Sequence, residues 1–345
     1  MTGGSVAISP PGPGDRTILV ARFLLDNLVW LILIGALLAF SLGIDGFAST
    51  QNYINIVYHA VFIGILAIAE TYCLVSGQMD LSVESVAGFS AILSAYLAGS
   101  SRFASGLELD PYLTLLIVLA LGAAVGMVNA FFVARLHINA FLVTLSTFII
   151  VRGLALSLTE GKGVTALPDS FRIVDTFQIA GIPLMVFLMI GFYIVFFFVL
   201  MNTRFGRHIY VTGGNAAAAQ NFGISVRGVL FRVFMLSGML AALAGWLITA
   251  RSDGATPAAA TGFLFEVLAA AVIGGVSLQG GVGSLVGVFA GVLLLSSIHT
   301  ALNMTAISPF VSDVVRGALV LAAIVLDSLK RTLDPYLVTR KGSRE

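Results

Sequence analysis

A 345-residue chain with 58% hydrophobic and only 10% charged residues cannot cover the surface of a soluble globule, where about 25% of residues are charged. Its net charge of +1 offers no basic face for nucleic acid and no acidic tail. The single cysteine, Cys73, lies in an apolar run, so an internal disulfide is excluded, a metal cluster is disfavoured, and the residue reads as a small buried hydrophobe.

In chain order, the first segment is polar. Residues 1–26 hold Pro10, Pro11 and Pro13 among several glycines and read as a disordered cytoplasmic tail, not a signal peptide. From there, apolar runs long enough for membrane helices fall at about 27–44, 53–75, 82–99, 112–134, 139–158, 184–201, 229–250, 263–277, 283–303 and 310–327. The predicted fold is an all-α polytopic membrane protein of about ten transmembrane helices. The stretch from Phe263 to Met304 reads either as two spans or as one span with a re-entrant hairpin. A membrane domain would cover 27–328, with a cytoplasmic loop at 202–228 and a cytoplasmic tail at 329–345. With the N-terminus inside, twelve of the 18 Lys and Arg fall on the cytoplasmic side and four outside. That asymmetry predicts both termini inside and an even number of spans.

Six ionisable residues interrupt the apolar runs: Glu70, Glu84, Arg152, Glu266, Asp313 and Arg316. Arg152, Glu266 and Asp313 are expected towards the outer interface, and Asp313 and Arg316 are spaced to pair on one helix. Such groups hold helices together or mark a pathway. Two glycine-rich breaks stand at expected cytoplasmic ends of spans: Ser76-Gly77-Gln78-Met79-Asp80-Leu81-Ser82, and Gly274 to Gly283. Asp80 or Ser82 can cap the helix that follows. Breaks in both halves of a chain point to a transport site between repeats, or the glycines allow close helix packing. Asp80, Ser82, Thr144, Thr147 and Arg152 are the candidate pathway residues. Thr144 and Thr147 share one helix face, and each can instead bond its own i−4 carbonyl.

In the 202–228 loop, Asn215 is a good N-cap, Ala216 to Ala219 favour helix, and Gly223 suits a left-handed C′ position. These predict a helix of about seven residues, from Asn215 to Phe222. One so short needs a surface to lie on, either its own bundle or a partner's groove. Gly213 and Gly214 are expected to form the turn before it. No phosphate-binding loop, His-Glu-x-x-His pair or Gly-x-Ser-x-Gly elbow occurs, which disfavours an enzyme or an ATP site on this chain. The four histidines, His59, His137, His208 and His299, show no ligand spacing.

Four stretches resemble the membrane permeases of bacterial ABC importers for sugars, the ribose-type members of the branched-chain amino acid/sugar permease superfamily. They are Val75 to Val83 (VSGQMDLSV), Asn139 to Gly153 (NAFLVTLSTFIIVRG), Phe205 to Ile224 (FGRHIYVTGGNAAAAQNFGI) and Leu268 to Gly287 (LAAAVIGGVSLQGGVGSLVG). The match is collinear over about residues 50–328. It departs at Gln78, Met79, Glu84 and the Asn139-Ala140 pair. The resemblance implies a type II importer fold in a bacterial inner membrane and a second permease copy, identical or related. It implies a cytoplasmic ATP-binding subunit and a periplasmic sugar-binding protein. The short helix would be the coupling helix, with Gly213, Gly214, Asn215, Ala218, Phe222 and Gly223 at the contact. No catalytic residue, metal or cofactor is expected. A branched-chain amino acid or nucleoside permease is the near alternative. An ion-coupled transporter using an intramembrane carboxylate such as Glu70 is the more distant one.

Overall fold

The structure is a computed structural model that describes residues 27–305 together with Val311, Val314, Val315, Gly317, Ala318, Leu321 and Val325. The expected tails, the Asp313–Arg316 pair and most of the tenth span lie outside the described residues. Within them the chain is helical, with only two-residue strands. The helices are α1 (Leu28–Gly43), α2 (Thr50–Val75), α3 (Val83–Ala98), α4 (Pro111–Ala130, prolonged by a π turn Phe131–Arg135), α5 (Ala140–Leu158) and the single turn α6 (Ile173–Thr176). There follow α7 (Leu184–Asn202), α8 (Arg204–Gly214), α9 (Ala216–Asn221), α10 (Val226–Ser252), α11 (Phe263–Ile273) and α12 (Leu285–Met304). Six are long and apolar enough to cross a membrane: α2, α4 with its π turn, α5, α7, α10 and α12. α1, α3 and α11 are shorter apolar helices at other expected positions.

The helices start where the sequence supplies a cap. Ser49 accepts from the Asn52 amide to open α2. Asp110 accepts from the amides of Tyr112 and Leu113, with Pro111 as the first residue of α4, where its missing N–H costs nothing. Ser225 accepts from the Gly228 amide to open α10.

Two helices form the centre. α2 is buried from Ala60 to Val75, and α10 is buried over most of its length. α4 and α7 pack against them, α5 packs against α3, and all three leave long apolar faces exposed, including Leu116, Ile149, Ile150, Ile194 and Phe198. This inside-out pattern suits a helix that faces lipid on one side and protein on the other. Small residues let the central helices meet backbone to backbone. A Cβ added at Gly122 of α4 would collide with the carbonyl of Gly238 of α10, and the reverse also holds. Gly126 meets the Phe234 carbonyl in the same way, and Gly245 of α10 meets the Ala87 carbonyl of α3.

One end of the bundle carries α8 and α9. The other carries a two-stranded ladder, β1 (Val164–Thr165) with β4 (Gly254–Ala255), and a small hairpin, β2 (Gln178–Ile179) with β3 (Ile182–Pro183). The ladder ties the segment after α5 to the segment after α10. Arg172 and Asp253 lie 3.7 Å apart beside it, both partly exposed, a pair that contributes little energy in water.

The region from Phe263 to Met304 forms two helices, α11 and α12, joined by Gly274–Ser284. At 11 residues, α11 is about 16 Å long and cannot cross a hydrocarbon core of about 30 Å. Between β4 and its first residue lies an irregular segment of turns, residues 256–262.

Two details of the 202–228 segment differ from expectation. Residues 204–214 form a helix, because Phe205, Gly206, Ile209, Tyr210 and Thr212 recur at helical spacing and turn inward. Gly213 and Gly214 therefore end α8 in place of a flexible turn. Gly213 is small for a packing reason: a Cβ there would collide with the Val75 carbonyl.

Candidate functional site

The two glycine-rich breaks, some 200 residues apart in sequence, meet at the α8–α9 end of the bundle. The Gly281 amide donates to the Val75 carbonyl at 2.9 Å. A Cβ on Gly280 would sit 2.7 Å from the Gly77 Cα and 2.8 Å from the Gly213 carbonyl oxygen. Gly77, Gly280 and Gly281 have φ of 78°, 87° and 73°, a left-handed conformation that glycine adopts without strain. Tyr210 of α8 donates its hydroxyl to the Gly283 carbonyl at 2.7 Å. The end of α8 thus rests on both breaks at once.

Directly beyond the first break lies a buried polar network. Asp80 Oδ1 accepts from the Ser82 amide at 3.0 Å and from the Ser82 hydroxyl. Its Oδ2 accepts from Ser237 of α10 at 2.7 Å. Asn129 of α4 donates to Ser82 Oγ at 3.0 Å, and Thr147 of α5 donates to Asn129 Oδ1 at 2.6 Å. Thr144, one turn earlier, donates to its own i−4 carbonyl, Ala140, at 2.8 Å and lies 3.3 Å from the Met79 carbonyl. Glu70 of α2 accepts from the Asp80 amide at 3.4 Å and is fully buried. Four helices and one break are joined through side chains that the apolar surroundings force to find partners.

Four of the five candidate pathway residues therefore fall in one network. Asp80, Ser82 and Thr144 are buried, and Thr147 is half-buried. Arg152 lies apart, exposed on α5. Sequence reasoning missed Asn129, Ser237 and Tyr210. The first two carried a usable signal, a lone polar residue in an apolar run. It also missed that His59 and His299 stack with ring centroids 3.9 Å apart, because helix pairing is invisible in residue spacing. Among the described residues no group of three or more His, Cys, Asp or Glu is placed to hold a metal.

Ahead of the breaks, α9 is capped by Asn215, whose Oδ1 accepts from the Ala218 amide at 2.9 Å. Gly223 follows with φ of 78°. Ala219 is buried against the bundle, while Ala216, Ala217 and Asn221 are exposed and Ala218 is half-buried. Phe222 is 83% exposed, a large aromatic left uncovered directly after this short helix.

These features define a multi-pass membrane protein with interrupted helices around a polar joint. The chain matches the family model for the permease component of branched-chain amino acid transport systems over residues 52–324. It is 31% identical over 326 residues to the ribose import permease protein RbsC of Haemophilus influenzae, covering 93% of this chain and 97% of that one. It is 35% identical over 276 residues to the L-arabinose transport system permease protein AraH of Escherichia coli, covering 78% and 80%. The probable ABC transporter permease protein YphD of Escherichia coli is 35% identical over 329 residues, covering 94% and 96%. No solved structure matches the chain. The protein belongs to this ABC-transporter permease family.

Proposed function

We propose that this chain is the transmembrane permease subunit of an ATP-driven importer in a bacterial inner membrane, carrying a sugar of the pentose, hexose or polyol class. The permease performs no chemistry. ATP is hydrolysed on a separate cytoplasmic subunit, a periplasmic protein delivers the sugar, and a second permease copy, identical or related, completes the membrane unit. The α8–α9 end faces the cytoplasm, and residues 215–223 form the coupling helix with its flanking turns.

The observation that carries this reading is the contact of α8 with both breaks. A force applied to α9 reaches Gly213 and Tyr210 through one continuous segment. It passes from there to Val75, Gly280, Gly281 and Gly283, and then to the Asp80 joint. A partner that shifts α9 thereby shifts two helix interruptions together, and the joint links α2, α4, α5 and α10. Asp80, Ser82, Thr144 and Thr147 then act as the hinge that bears this motion. The relatives named for ribose and L-arabinose support a sugar as cargo.

The cargo class is tested on the periplasmic binding protein that this reading requires as a partner. A thermal-shift screen against pentoses, hexoses, polyols, branched-chain amino acids and nucleosides should give stabilisation by a sugar or polyol, because a ligand that binds only the folded state raises its melting temperature. Stabilisation by leucine or by a nucleoside alone would replace the sugar reading with the near alternative.

A further inference from the structure

The α8–α9 end of the bundle carries an unbalanced positive face. Between Asp175 and Asp253 the chain holds no Asp or Glu, yet it places Arg204, Arg207, Arg227 and Arg232 near this end. All four are exposed, and among the described residues the one ion pair within 4.0 Å joins Arg172 and Asp253 at the opposite end. Arg204 and Arg207 belong to the 11-residue α8. They share its outer face with half-buried His208 and exposed Val211, while Gly206, Ile209 and Thr212 turn inward. Arg232 of α10 approaches the same place. Its guanidinium carbon lies 6.0 Å from the centroid of the Phe205 ring, and Phe205 directly follows Arg204.

The depth of this face in the bilayer follows from α7. That helix has 19 residues and no charged side chain. It is about 28 Å long, close to the roughly 30 Å of a hydrocarbon core. Ile190, Ile194, Phe198 and Met201 are exposed and recur at helical spacing, so they form one lipid-facing stripe. Arg204 comes three residues after the last of them and therefore stands at headgroup level. α8 folds back beside the same boundary, with the Tyr210 hydroxyl 3.7 Å from Met201 Sδ. An apolar stripe thus leads directly into a cluster of guanidinium groups.

We propose that Arg204, Arg207 and Arg232 bind the phosphate of an anionic phospholipid, whose acyl chain lies along the α7 stripe. A planar guanidinium offers paired N–H donors to phosphate oxygens, and basic pockets at helix ends on this side of a membrane take up such headgroups. A zwitterionic lipid brings its own cation against three arginines, so a headgroup with net negative charge is selected. The ATP-binding subunit is the competing occupant. Lipid is favoured because the arginines continue the lipid-facing stripe of α7, whereas exposed Phe222 and the alanines of α9 lie further along the chain. A lipid held here fixes α8 against the bilayer, so that a push on α9 reaches the two breaks instead of tilting α8. This consequence rests on the coupling reading; the binding itself requires only that α7 crosses the membrane.

The test titrates the full-length permease, delipidated in mild detergent, with phosphatidylglycerol or phosphatidylcholine and counts bound lipid by native mass spectrometry. Each basic residue beside an anionic lipid contributes a factor of about five in affinity. The double variant Arg204→Gln, Arg207→Gln should therefore bind phosphatidylglycerol at least tenfold more weakly, and Arg232→Gln several-fold more weakly, with phosphatidylcholine unchanged. Lysine at both α8 positions should recover part of the loss. Arg102→Gln is the control. It removes the same charge beside Ser101, which accepts from Thr165 of β1 at the opposite end, and should change neither lipid. All these side chains are exposed, and wild-type elution in size-exclusion chromatography verifies folding. Equal binding of phosphatidylglycerol by wild type and double variant, or an equal loss with phosphatidylcholine, overturns the proposal. Displacement of the lipid by equimolar glycerol 3-phosphate makes this a site for free phosphate and also overturns it. So does a double variant that keeps phosphatidylglycerol but no longer co-purifies with the ATP-binding subunit, since the face then belongs to that partner. Lipid counting needs neither sugar nor ATP, so its failure leaves the import reading untouched.

Discussion

Replacing Gly126 by leucine should leave no folded permease. Gly126 of α4 faces the backbone of α10 at Phe234, and even a single Cβ would collide with that carbonyl. In a core where side chains can move aside, extra methylenes cost about 1–3 kcal/mol. Here the obstacle is a main-chain carbonyl fixed by helical hydrogen bonds. Relief requires separating α4 from α10, and that contact also contains the reciprocal Gly122–Gly238 approach. The loss should therefore exceed that range. Size-exclusion chromatography in mild detergent should show aggregated material for Gly126→Leu and for Gly238→Leu. Gly191→Leu in α7 and Gly153→Leu in α5 are the controls. Neither glycine has an atom within 4 Å of an added Cβ, and leucine is the better helix former. Both should elute as wild type, with melting temperatures equal or higher. A folded Gly126→Leu protein would mean that α4 and α10 do not meet as described.

The second large effect belongs to α9. Ala218→Arg should leave the permease folded and in the membrane, yet release the ATP-binding subunit and abolish uptake. The helix is only six residues long and is held to the bundle by buried Ala219. Its exposed alanines and Phe222 form a small surface of the kind on which one aromatic anchor dominates. At half-buried Ala218, arginine can direct its charge into water, so the bundle tolerates it while the contact does not. Co-purification with the tagged ATP-binding subunit reads the result, and Phe222→Ala should weaken the same contact. Ala219→Arg differs in kind, since it places the charge against the bundle and should destabilise α9 itself. Retention of the ATP-binding subunit by Ala218→Arg, together with wild-type uptake, would contradict the coupling role.

The contrast between these two sites shows what a sequence discloses. Apolar runs announced nearly every helix, because a membrane demands long stretches without charge. The cap at Asn215 and the left-handed Gly223 were legible because both are local chemistry. The glycines of α4 and α10 were not, because a close approach depends on which helices are neighbours. The same limit hid the meeting of the two breaks, where Gly77, Gly213 and Gly280 come from three distant segments. Gly213 looked like a turn residue and is a packing residue. Residues 204–214 looked like loop because two arginines, a histidine and three glycines dilute the apolar residues that hold α8 to the bundle.

Transport energised by ATP on a partner is the centre of this account, and uptake of labelled D-ribose and L-arabinose into proteoliposomes is its most direct measurement. The vesicles hold the permease with its ATP-binding subunit, with ATP on the cytoplasmic side and the binding protein on the other. Accumulation should require hydrolysable ATP, cease with a non-hydrolysable analogue, and persist when ionophores collapse proton and sodium gradients. Uptake by the permease alone, driven by an ion gradient, indifferent to ATP and lost in Glu70→Gln, would contradict it.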